Sequence, residues 1–196
     1  MGLGRVEVSA LRHFERFCRE IGGRLVRKVD RVVCVTETDA VGTLDRYLHD
    51  FHNFVSEWKT VLDKPVEIAF ENRLLGGWSE VASVTYDPET DKYSVYARLY
   101  SEYGVEPEYG EGVEGEVVTE ETTIPHLDVT VEGEGEVDQN PATDEYVGVG
   151  EAWASIPRSR VRPDLAPELV EVFRKVLSLA ERLAERASEE LITPRA

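Results

Sequence analysis

Asp45, His49 and His52 stand at i, i+4 and i+7, a spacing that turns one carboxylate and two imidazoles toward one sector of a helix, where they could hold a divalent metal ion. The HExxH pattern of zinc peptidases is absent, and Asp45 with His49 also reads as an ordinary i,i+4 helix pair. Asp138, Asn140, Asp144 and Glu145 form an oxygen-rich set suited to a hard divalent cation, although the glycine and terminal glutamate of an EF-hand are missing. His126 and Asp128, two residues apart at a strand start, would share one strand face as an acid/base pair. Beyond these the chain offers no GxSxG, no glycine-rich phosphate loop and no nucleophilic cysteine beside a histidine. Paired carboxylates are too common among 39 acidic residues to mark glycoside chemistry. A divalent cation is therefore the only cofactor the residue types suggest, and the chain reads as non-enzymatic.

A second kind of chemistry lies in charge. Residues 99 to 157 contain no Lys or Arg and 16 acidic side chains, so they carry 16 of the 17 net negative charges, while the rest of the chain is close to neutral. Three readings compete: a solvated face suited to high ionic strength, an interaction surface for a basic protein partner, or cation binding through the Asp138 set. The surface reading names Glu114, Glu116, Asp128, Glu132, Glu134 and Glu136 as partner-binding residues. Direct nucleic-acid binding at this face is excluded, because it would repel phosphate. Immediately afterwards Arg158, Arg160 and Arg162 alternate on a Pro-punctuated linker, placed to pair with carboxylates of neighbouring strands.

The elements that must position these residues follow from periodicity. A first helix capped by Ser9 runs to about Ile21 and stops at Gly22-Gly23. Arg24 to Val29 and Arg31 to Thr36 read as a hairpin whose second strand, apolar on both faces, should be central in the sheet. Cys18 and Cys34 lie in apolar runs and read as buried thiols of a reducing cytoplasm. A core helix opens at Thr38 or Asp39 and ends near Leu62. Val66, Ile68 and Phe70 alternate with Glu67, Ala69 and Glu71, the pattern of a half-buried antiparallel strand. Asp87-Pro88-Glu89-Thr90-Asp91 then joins two more strands along which Tyr86, Tyr93, Tyr96 and Tyr100 are expected to stack. Three acidic strands follow, near 113–121, 124–137 and 145–156.

Pro167 opens a long last helix to about Leu191, in which Leu169, Phe173, Val176, Ala180, Leu183 and Ala187 recur as a heptad seam. That seam either lies on the sheet or pairs with its copy, and a homodimer is expected from it. No apolar run approaches the ~20 residues of a membrane span, and neither a membrane partner nor a signal peptide is expected. Scarce Gln, Asn and Met beside abundant Glu fit a thermophile-like composition.

The expected architecture is one α+β domain over 1–196. A mostly antiparallel sheet carries helices on one face in the order α-β-β-α-β-β-β-(acidic β-β-β)-α, with 101–157 as an acidic insertion and 163–191 as the C-terminal helix. This element order resembles that of roadblock-type dimerisation modules, and many strands before one long helix resemble helix-grip ligand-binding folds. The expected function is an interaction or assembly protein of the cytoplasm, probed through its acidic face. The alternative is a small-ligand-binding domain or enzyme with a cavity between sheet and last helix, lined by Trp58, Trp78, Trp153 and the tyrosines.

Overall fold

The computed structural model describes residues 2–37, 41–74, 78–103, 117–139, 146–163 and 165–192, and the structural statements below concern these. Helix α1 (Gly2–Glu20) starts earlier than Ser9 and buries Phe14, Phe17 and Cys18 along one side. It stops where expected: Gly22 takes a left-handed φ of 78°, and the amides of Gly22 and Gly23 bond back to the carbonyls of Arg19 and Cys18. Strands β1 (Arg24–Arg27) and β2 (Val32–Glu37) form the expected hairpin. Helix α2 (Val41–Trp58) then crosses over to β3 (Val66–Leu74), which runs parallel to β2. Thr38 and Asp39 lie outside the described residues, and α2 ends at Trp58, four residues before the predicted Leu62.

Strands β4 (Trp78–Asp87) and β5 (Lys92–Tyr103) meet at the predicted turn, where the Asp87 side chain accepts from the amide of Glu89 and Asp91 adopts a φ of 52°. The acidic strands are β6 (Val118–Ile124), β7 (Val129–Gln139) and β8 (Tyr146–Pro157), and helix α3 (Pro167–Ile192) closes the chain. They do not stand apart. β8 pairs with β5, giving one eight-stranded sheet in the order β1-β2-β3-β4-β5-β8-β7-β6, antiparallel except at β2 and β3. The α+β class and element order are as expected. β2 is interior but one place from the edge, because the acidic strands extend the opposite side.

All three helices pack on one face. Over the first half the contact is made by rings: Phe14, Phe51 and Tyr93 form a chain with centroid separations of 6.3 and 6.2 Å, and Phe70 meets Phe173 edge-on at 5.3 Å. Over β7 and β8 the contact is made by backbone. Gly135 and Gly150 face each other across the two strands, and a methyl group on Gly150 would collide with the carbonyl oxygen of Ala180. One on Gly135 would lie 2.7 Å from the carbonyl oxygen of Leu183. Glycine removes the inner side chains, and α3 settles onto the sheet through Ala180, Ala184 and Ala187.

Several expectations are corrected here. Cys18 and Cys34 are not free thiols: α1 lies across β2, their Cα atoms are 5.6 Å apart, and the sulfurs are bonded. The inference to a reducing compartment therefore loses its premise; no described helix is long and apolar enough to cross a membrane. The proposed dimer seam is used within the chain, since Leu169, Phe173, Val176, Ala180, Leu183 and Ala187 are all buried against the sheet. Of the tyrosines expected to pair across the strands, Tyr86 and Tyr93 do so as direct partners of β4 and β5. Tyr86 and Tyr93 face the helices with centroids 5.5 Å apart, whereas Tyr96 lies on the opposite face because strand side chains alternate.

Candidate functional site

No described helix covers the second face of the sheet, and over β5 to β8 many of its outward side chains are open to solvent, although Val149 on the same face is buried. Alternation assigns them: Thr119 and Glu121 from β6, Thr130, Glu132, Glu134 and Glu136 from β7, Glu151, Trp153 and Ser155 from β8, and Ser94, Tyr96 and Arg98 from β5. Register aligns them into rows across the strands. In one row Tyr96, Trp153, Glu132 and Glu121 are successive partners, and in the next Arg98, Glu151, Glu134 and Thr119.

The second row is partly neutralised. Arg98 pairs with Glu151 at 3.0 Å and lies 4.4 Å above the ring of Tyr100, and the Tyr96 hydroxyl donates to Glu151 at 3.1 Å. Burial and the Glu151 carboxylate push the Tyr96 phenol up to about 12. The first row has no such relief. Glu132 and Glu121 are exposed, sit directly opposite each other, and pair with no Lys or Arg among the described residues. Like charges so placed are mutually destabilising. Arg182 and Arg186 of α3 are both taken by Glu120 on the helix side, at 2.9 and 3.0 Å.

Trp153 stands in the middle of the first row and remains 38% exposed. With Tyr96, Ser94, Ser155, Thr130 and Glu132 it lines a hollow of about 460 Å³. A cation entering there would meet aromatic rings and uncompensated carboxylates together, the two groups that attract ammonium and guanidinium.

The predicted metal triad does not converge. Asp45 pairs with Arg174 at 2.8 Å, His49 bonds to Asn53 at 3.3 Å, and His52 turns into the core, where its Nδ1 lies 2.5 Å from the Tyr93 hydroxyl. The apolar face of α2 is wide enough to take His52 with it, and burial lowers the pKa of its imidazole. Of the oxygen-rich set only Asp138 is described; Asn140, Asp144 and Glu145, like the partner-binding candidates Glu114 and Glu116, lie outside the described residues. No group of three or more His, Cys, Asp or Glu among the described residues is placed to hold a metal ion.

His126 and Asp128 also part company. Pro125–Leu127 form a 3₁₀ turn rather than a strand start, so His126 reaches Glu171 of α3 at 3.0 Å, and Asp128, in a left-handed conformation, lies 4.0 Å from Arg160. The alternate arginines do pair with nearby carboxylates: Arg158 with Asp91 at 2.7 Å, Arg160 with Asp128, and Arg162 with Glu168 at 3.2 Å. Burial would raise the Asp91 carboxyl, but hydrogen bonds from Arg158 and Tyr86 outweigh it and hold the pKa below its ordinary value. The three tryptophans are dispersed as well, with Trp58 stacked on His13 at 4.6 Å and Trp153 on the open face. Sequence reasoning missed the pairing of Trp153 with Tyr96, whose signal was their equal parity on strands that only the fold makes neighbours.

No protein-family model, curated protein or solved structure matches this chain, so the element-order resemblances have no match behind them and function rests on these residues.

Proposed function

We propose that the protein is a non-enzymatic interaction protein whose open sheet face binds a lysine- or arginine-rich segment of a basic protein partner. The observation that carries this is the row Tyr96-Trp153-Glu132-Glu121, which places an exposed indole beside an unrelieved pair of carboxylates on a face that no described helix covers. The uncharged small side chains of Ser94, Thr130 and Ser155 leave the floor low enough for an extended segment to lie along it. A partner's cation would offset the Glu121–Glu132 repulsion and stack on Trp153, a contact contributing ~0.5–1 kcal/mol at an exposed site. A homodimer through the α3 seam is not part of the proposal, because that seam is buried on the chain's own sheet.

Titration with an oligolysine peptide, followed by tryptophan fluorescence at low and high salt, tests it. Saturable binding is expected, weakened by salt and by Trp153→Ala or Glu132→Gln, with an oligoglutamate peptide inert. Binding that is insensitive to both substitutions, or no binding at low salt, would exclude this face.

A further inference from the structure

The second row of the open face shows how this sheet holds a cation of its own. Arg98 lies between a ring and a carboxylate: its guanidinium carbon is 4.4 Å from the centroid of Tyr100, two residues along β5, and its Nε is 3.0 Å from Glu151, its direct partner on β8. A guanidinium suits that place because it is planar. One surface rests on the ring while its N–H groups meet the carboxylate at the edge.

The first row has the same two components and no cation. Trp153 is the direct partner of Glu132, and Glu132 of Glu121, so an exposed indole is followed by two carboxylates in line, neither paired with a Lys or Arg among the described residues. The remaining carboxylate near the indole, Glu151, is already engaged by Arg98 and the Tyr96 hydroxyl. The hollow beside Trp153 adds a second constraint. Its polar side chains are Ser94, Tyr96, Asp128, Thr130, Glu132 and Ser155, each presenting an oxygen, and the indole N–H is the one side-chain nitrogen in that lining. Of these, Tyr96 donates to Glu151 and Asp128 lies 4.0 Å from Arg160. Such a lining calls for a ligand that donates.

We infer that the anchor of the bound segment is an arginine, its guanidinium lying flat on Trp153 with its edge toward Glu132 and further N–H groups reaching the hydroxyls of Thr130 and Ser155. The choice of arginine rests on the reading of the open face as the contact for a basic segment. A guanidinium carries five N–H donors and no acceptor, which matches an all-oxygen lining. The ammonium of lysine would be drawn to the same carboxylates, but as a compact, strongly hydrated point charge it has no flat surface for the indole and gives up more water to reach it. The sheet's own choice in the neighbouring row, Arg98 against Tyr100 and Glu151, is of the same kind.

The test titrates the full chain by calorimetry with hexalysine and hexaarginine, equal in charge, at one low ionic strength. Hexaarginine is expected to bind about tenfold more tightly. That ratio should fall toward one in Trp153→Leu, which keeps an apolar side chain and removes the ring, and Glu132→Gln should weaken hexaarginine more than hexalysine. Both positions are on the surface, and circular dichroism confirms that each variant is folded. Equal affinity for the two peptides would overturn the choice of arginine while leaving the basic-segment reading in place, whereas no binding of either would overturn both. A preference for hexaarginine that persists in Trp153→Leu would put the guanidinium elsewhere on the chain and overturn the assignment.

Discussion

Over β2 to β5 the sheet meets its helices through rings, with Phe14, Phe51, Phe70 and Tyr93 filling the space between layers; where β7 and β8 carry Gly133, Gly135, Gly148 and Gly150 it meets α3 through glycines, flanked by Val129, Val131 and Ile156, which stay in the core. Both halves bury the same face, but they place different demands on the residues between. In the aromatic half the inward positions must be large and the outward ones are free. In the glycine half the inward positions must be empty, so Glu132-Gly133-Glu134-Gly135-Glu136 is a strand whose inner side chains have been deleted and whose outer ones remain. Glycine weakens a strand by itself, by ~0.5–1 kcal/mol per residue relative to alanine, so β7 and β8 depend on α3 for their order more than β3 and β4 do.

The sharpest way to break this contrast is to add atoms on one side and remove them on the other. Gly150→Val is expected to cost about 3 kcal/mol or more, because the atom it strikes is the backbone oxygen of Ala180, which cannot rotate away. Phe51→Ala, in the other half, should cost ~3–5 kcal/mol through loss of volume. Denaturant midpoints measure both. The informative control is Gly150→Val with Ala180→Gly: trimming the helix side chain leaves the backbone collision, so no recovery is expected. Substantial recovery would mean that side chains, not backbone, set the spacing between α3 and the sheet.

A second difference is covalent. Only the aromatic half is tied, by Cys18–Cys34, which joins α1 to β2 across a sequence separation of 16. Closing a loop of that size stabilises by ~3 kcal/mol, and a Cys18→Ala, Cys34→Ala variant should lose about that much. Hydrogen exchange should show the loss as earlier opening of α1 and β1, with α3 little affected. Equal loosening of α3 would show that the two halves unfold as one unit.

How far the sequence carried this picture depended on whether the cause was local. The Asp87–Asp91 turn and the Gly22 stop are written in neighbouring residues, whereas β3, half-buried and antiparallel by its alternation, is buried on both faces from Val66 to Phe70 and runs parallel to β2, because β2 and α2 come from elsewhere in the chain. The disulfide, the Glu-Gly alternation as a packing device and the fate of the α3 seam each depend on an element far along the chain. Ala180, Leu183 and Ala187 show the same spacing whether they meet a second copy or Gly135 and Gly150. The candidate site divides likewise: the carboxylates were legible as composition, but their alignment with Trp153 and Tyr96 required knowing that β8 lies between β5 and β7.

A smaller effect separates the halves by pH. The aromatic half buries the imidazole of His52, whose pKa is lowered first by burial and also by the nearby charges of Arg158 and His49, while Glu168 and the backbone of Arg162 act the other way. A lowered value means that the unfolded chain takes up the proton first. Stability from the neutral ring is therefore present above the ordinary 6.5 and lost as pH falls below it toward the folded value. The slope is at most about 1.4 kcal/mol per pH unit. Comparing melting temperatures of wild type and His52→Gln from neutral to mildly acidic pH should show a steeper fall in the wild type. Parallel curves would place the imidazole's titration elsewhere.

The smallest effect bears on the open face itself. If Glu121 and Glu132 are held in opposition for a partner's sake, replacing one by a cation should improve the isolated fold while impairing recognition. Glu121→Lys converts a like-charged cross-strand pair into an opposite one and is expected to gain about 0.5 kcal/mol, read as a higher denaturant midpoint. The same variant should weaken oligolysine binding at low salt, and the two changes should shrink together as salt is raised. A gain in stability with unchanged peptide affinity would separate the repulsion from recognition and leave the carboxylate row as a solvated surface; opposed changes would tie the strain in the sheet to the partner that relieves it.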